Sequence, residues 1–172
     1  MKFARIAAPV AALLLVAGCS SPTGGTAFEV QGERVSSNQV DAATQGCSRL
    51  LGAGEQEIKQ QISGMMLSGA LADAVAERTG TAITPQSQDK AIDALQARSL
   101  LKDPDCAVPA NSIARYAVVA QALGEKKLGE QVRALDVQVN PRLGQWDADR
   151  GAIVGSTGSL SVQDLGQGVV GG

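Results

Sequence analysis

Two short stretches of alternating hydrophobicity stand far apart in this chain, with helical periodicity between them, and that arrangement restricts the fold more than any other feature. In the first, Phe28 and Val30 alternate with Glu29 and Gln31 before a turn at Gly32. In the second, Leu135, Val137 and Val139 alternate with Asp136, Gln138 and Asn140 until Pro141 denies the ladder a donor. A lone strand cannot satisfy its backbone groups, so the two are expected to pair and close the fold. The expected class is therefore mainly α, with a small two-stranded pairing of the N- and C-terminal strands. Only 2% of the residues are aromatic, so the core must be aliphatic.

The segments between the strands read as helices with recognisable ends. Ser36 and Gln39 have the spacing of a capping box, and Val35 and Val40 occupy the two positions of a hydrophobic staple. Ala43, Cys47, Leu50 and Leu51 continue that helical face until Gly52 stops it. A long helix is expected over Glu55 to Thr79, with Ile58, Ile62, Met65 and Ala72 on one stripe and Leu67, Leu71 and Val75 opposite, so it should be central. Thr84 and Pro85 cap and start another helix, carrying Ile92 and Leu95. The prolines and aspartates of Lys102 to Pro109 predict a loop. Beyond it, Ile113, Tyr116, Ala117 and Ala120 predict a helix ending near Gly124, and Leu128 and Val132 a shorter one.

The N-terminus speaks to location. Lys2 and Arg5 precede an apolar run from Ile6 to Val16, too short for a resident bilayer span, which needs roughly 20 apolar residues. Val16, Ala17 and Gly18 then lead to Cys19 in a pattern that resembles a bacterial lipobox. The resemblance implies removal of residues 1–18 and lipidation of Cys19. Each buried acyl CH₂ contributes roughly 0.8 kcal/mol, so two or three chains hold a protein firmly at a membrane, lipid-anchored on the extracytoplasmic face. Residues 19–26 then form a tether, 27–147 the folded body, and 148–172, glycine-rich from Gly151 onward, a flexible tail.

Export leaves Cys47 and Cys106 as an even pair in a compartment that permits disulfides, and they are expected to bond. Closing a loop of about 60 residues restricts the unfolded chain by roughly 4 kcal/mol in the entropic picture. Without Lys2 and Arg5, 13 basic residues remain against 17 acidic ones, a net charge of −4 that disfavours nucleic acid and polybasic contact with lipid headgroups.

Signals for catalysis and metals are weak. Ser99 to Lys102 spells S-x-x-K, but the S-D-N and K-T-G partners of that motif are missing, as are G-x-S-x-G and a Walker loop. Asp103 with Asp105, and Asp147 with Asp149, do not continue into a calcium-loop spacing. There is no histidine, and two separated cysteines fall short of a zinc ligand set. No enzyme activity, metal or cofactor is expected.

Three stretches together resemble the SurA and PrsA group of extracytoplasmic foldases. FEVQGERVSSNQVDAA is similar to their opening strand, turn and first helix, ISGMMLSGALADAVAERTGTAITPQSQDKAIDAL to the elements that follow, and VQVNPRLGQWD to a closing strand. They span roughly Thr26 to Asp147. The resemblance implies a SurA N-terminal-like helical domain that binds unfolded polypeptide. In fuller members a parvulin-type isomerase domain is often inserted. Here only about Ala97 to Tyr116 could house an insertion, far short of the roughly 90 residues such a domain needs for a core of its own, so isomerase activity is not expected.

The expected partners are accordingly unfolded exported polypeptides and the membrane. Met65 and Met66 are flexible and polarisable, which suits a groove for varied apolar segments. With Leu71, Tyr116 and the sole tryptophan, Trp146, they are the candidate peptide contacts, and Trp146 serves equally well as a structural clasp over the strand pair. Arg142 is placed to pair with Asp147 or a nearby acid. Two other functions fit the same body: an adaptor lipoprotein holding one membrane or cell-wall partner, and a lipid carrier with an enclosed apolar cavity.

Overall fold

The chain enters strand β1 (Thr26–Val30) from a turn at Gly24 and Gly25, so the tether ends before Thr26. The structure, a computed structural model, describes residues 24–155. Residues 1–18, Cys19, the first part of the tether and the tail beyond Gly155 lie outside the described residues. From Val30 the chain reverses through Gln31 and Gly32, both at positive φ (53° and 88°), as a tight two-residue hairpin turn requires. It returns as β2 (Glu33–Ser36), a strand that the alternation pattern did not announce, because Glu33 and Arg34 are both exposed. β3 (Val137–Val139) pairs antiparallel with β1 on its other side, with Phe28 opposite Val139 and Val30 opposite Val137. The terminal strands thus meet as expected, within a three-stranded sheet ordered β2-β1-β3.

The helices follow their caps. Ser36 closes both halves of its capping box with Gln39 at the start of α1 (Ser37–Leu51). The apolar face of α1 ends one residue early, since Leu51 is 56% exposed. α2 (Glu55–Thr79) is buried on two sides, by Ile58, Ile62 and Met66 and by Leu67, Leu71 and Val75, which makes it the central helix of the mainly α body. Thr84 and Ser87 cap α3 (Pro85–Ala94), which buries Ile92 and leaves Leu95 exposed beyond its end.

The stretch from Lys102 to Pro109 corrects the expectation of a loop. A 3₁₀ turn, Ala97–Lys102, leads directly into α4 (Pro104–Leu123). Asp103 is the N-cap, its Oδ1 accepting the N–H groups of Asp105 (2.9 Å) and Cys106 (3.1 Å), while Pro104 sits at the first position, where no donor is needed. Pro109 lies inside the helix and is fully buried, so it forfeits one intrahelical bond but fills core volume. The Cys106 N–H, helped by the Arg49 guanidinium 3.2 Å away, holds the Asp103 carboxyl below the usual carboxylate range.

This cap puts Cys106 in the first turn of α4 beside α1, where it is bonded to Cys47. Gly46 makes the approach possible: a Cβ there would lie 2.5 Å from the Asp103 side chain and 2.9 Å from the Cys106 nitrogen. Gly69 does the same between α2 and α4, because a Cβ would lie 2.5 Å from Ser112. With Asp73 reaching Arg115 at 3.0 Å, that contact sets α2 and α4 side by side in the same direction.

α5 (Glu125–Arg133) buries Leu128 and Val132 and hands the chain to β3. A second correction follows β3. Instead of a loose tail from residue 148, the chain makes a hairpin of β4 (Gln145–Asp147) and β5 (Ala152–Val154), pairing Trp146 with Ile153. Asp147 organises its turn by accepting the N–H groups of Asp149 and Arg150, and it takes Arg150, not Arg142, as its ion-pair partner at 3.5 Å.

Candidate functional site

The sheet presents β2 as an outer strand with no strand paired on its far side among the described residues. Between this strand and α2 lies a cleft of about 590 Å³. Val35 is opposite the core residue Phe28 in the β1–β2 register, so its side chain turns toward the helix layer and not outward. Ala70 and Ala74, one turn apart on α2, contribute only methyl groups, and the space they leave is what opens the cleft. Val30 closes its inner end.

The rim is charged and only partly neutralised. Arg34 is paired with Glu29 at 2.6 Å, and Asp73 with Arg115 at 3.0 Å. The Glu33 and Glu77 carboxylates are exposed and without an ion-pair or hydrogen-bond partner among the described residues. Glu33 and Arg34 also blunt the open edge against indiscriminate strand pairing. Chemically, the cleft offers backbone donors and acceptors along one side, a shallow apolar floor, and carboxylates above it.

A second, smaller cleft of about 280 Å³ sits where the described chain begins, lined by Gly24, Asn38, Asn140 and Leu143 among others. Lys59 lies 2.7 Å from Asp41 there, and Asn140 spends its side chain on Thr26 and on the Arg142 N–H. It works as a joint between α1 and the residues after β3.

The peptide contacts expected from sequence are not gathered into one groove. Met66 and Leu71 are 5% and 1% exposed and belong to the core. Met65, Tyr116 and Trp146 are half-buried and pack against that core, and none of the five lines the β2–α2 cleft. Burial pushes the Tyr116 hydroxyl above its ordinary value. Trp146 packs against the core from the β4–β5 hairpin, where it stands opposite Ile153. Reasoning from sequence missed Val35, Ala70 and Ala74; the signal available was two small residues at helical spacing beneath a strand with one apolar side chain.

Leu71→Ala is therefore expected to destabilise the protein by about 3 kcal/mol in urea unfolding, as a core cavity does, whereas Met65→Ala should shift the midpoint by less than half as much. Similar small losses for both would place Leu71 outside the core.

Cys19 lies outside the described residues; Cys47 and Cys106 form the disulfide described above. Among the described residues no helix is long and apolar enough to cross a membrane, and no group of three or more cysteine, aspartate or glutamate side chains is placed to hold a metal ion. No family model matches the chain, no curated protein matches it, and no solved structure matches it.

Proposed function

We propose that this chain is a lipid-anchored, extracytoplasmic binding module that holds extended segments of exported polypeptides along the outer edge of β2, without isomerase activity. One observation carries the reading: the sheet order leaves β2 open beside a cleft floored by Val35, Ala70 and Ala74. An extended segment added there gains main-chain hydrogen bonds from the strand and seats alternate side chains in the cleft. The edge is four residues long, so each contact is weak and release needs no nucleotide.

The motifs similar to the SurA and PrsA group support the same reading, as does the pairing of the two terminal strands. The stretch that could have housed an inserted isomerase is taken up by the 3₁₀ turn and by α4 as far as Tyr116, which are part of the helical body. A lipid carrier needs an enclosed apolar cavity, whereas the β2–α2 cleft is open to solvent and rimmed by charged side chains.

The chain from Ser20 onward should suppress light scattering by a reduced, aggregating client near equimolar ratio. Ala74→Leu, which fills the cleft from an already half-buried position, should raise the amount needed about tenfold, equivalent to about 1.4 kcal/mol of binding, while leaving the fold intact. Absence of suppression at any ratio would remove the general chaperone reading and leave an adaptor for one partner, which cross-linking would return as a single dominant species.

A further inference from the structure

We infer that the β2–α2 cleft selects extended segments bearing positive charge, with Glu33 and Glu77 as the residues that set this preference; the inference rests on the reading of β2 as a docking edge. The charged residues lining the cleft are Glu33, Arg34, Asp73 and Glu77, with Glu29 and Arg115 reaching two of them as ion-pair partners. Arg34 is held by Glu29 and Arg115 by Asp73, which leaves the carboxylates of Glu33, on the strand, and Glu77, on the helix, uncompensated on two walls of one cleft. A cation between them meets attraction from both walls, and an acidic side chain meets repulsion from both.

The geometry of an added strand makes the preference specific. Its side chains alternate, those on one face recurring roughly every 6.6 Å, so a residue seated over Ala70 and Ala74 has same-face neighbours within reach of the carboxylates. Lys or Arg fits those neighbouring positions because the aliphatic stem covers the alanine methyl groups while the charged head reaches the rim. The favoured occupant is thus a short extended segment with a small apolar residue flanked at two-residue spacing by Lys or Arg. The chain's negative balance, 15 basic against 17 acidic residues, adds only a diffuse, salt-screened background to this local pattern.

The test uses the full chain in a neutral detergent and three fluorophore-labelled peptides of equal length, each with alanine at the centre, lysine, serine or glutamate two residues away on either side of it, and serine at the intervening positions. Anisotropy titrations should show the lysine peptide binding about tenfold tighter than the serine peptide and the glutamate peptide weaker still. Glu33→Gln with Glu77→Gln should bring the lysine peptide to the affinity of the serine peptide. Glu125→Gln with Glu130→Gln, an equal charge change on α5, should leave its advantage in place. Equal loss in the two double variants would assign the attraction to overall charge and overturn the inference. Equal affinity of all three peptides would overturn the charge preference alone, whereas no binding by any of them would overturn the docking edge with it.

Discussion

Replacing both Cys47 and Cys106 with alanine is expected to lower the thermal midpoint by about 15 °C. The bond closes a loop with a sequence separation of 59, and restricting an unfolded chain over that span is worth about 4 kcal/mol. In a body of this size each kcal/mol moves the midpoint by about 4 °C. Both cysteines are buried, and alanine avoids leaving an unpaired hydroxyl in the core, so most of the loss reports the cross-link. Calorimetry with and without a reductant provides the check, since reduction of the wild type should approach the variant. An unchanged midpoint would mean that the link between α1 and the start of α4 does not constrain the unfolded chain.

Phe28→Ala carries a comparable effect for a different reason. Phe28 is 0% exposed and sits on the middle strand, flanked by Val35 on β2 and Val139 on β3. Its cross-strand partners are both valines, which cannot close over the space a ring leaves, so the loss should reach about 4 kcal/mol in urea unfolding. Phe28→Leu, which conserves most of the volume, should lose less than half of that. A loss below about 1 kcal/mol for alanine would contradict the placement of β1 at the centre of the sheet.

Much of this fold is legible in local chemistry. Ser36 with Gln39 and Thr84 with Pro85 announce α1 and α3 because a cap is decided by residues within one turn of each other. The bracketing strands are legible because Phe28, Val30, Val137 and Val139 each have one buried side to alternate toward. The departures come where a local signal has two physical readings. Asp103, Pro104 and Pro109 have the composition of a loop, yet Asp103 and Pro104 are also ideal at the cap and first position of a helix, and burial tolerates Pro109. β2 is hidden because its only apolar residue, Val35, also reads as the staple residue before α1.

The site was less legible than the fold for the same kind of reason. Periodicity gave α2 two apolar faces but could not say which side would lack a covering helix. Leu71 and Met66 are enclosed in the core, whereas Ala70 and Ala74 pack against it on one side only and line the cleft on the other. An open cleft is defined by what fails to pack over it, which depends on where α4 and the β1–β2 hairpin end up in space. The cysteine pair needed only parity and compartment, so it could be read early.

Amide hydrogen exchange, followed residue by residue with and without a saturating lysine-bearing extended peptide, tests the docking edge most directly. Added strand hydrogen bonds should slow exchange at amides within Glu33–Ser36 about tenfold or more, with no comparable change in Val137–Val139 on the opposite edge. Protection confined to β3, or spread over the helices with β2 unchanged, would contradict the account.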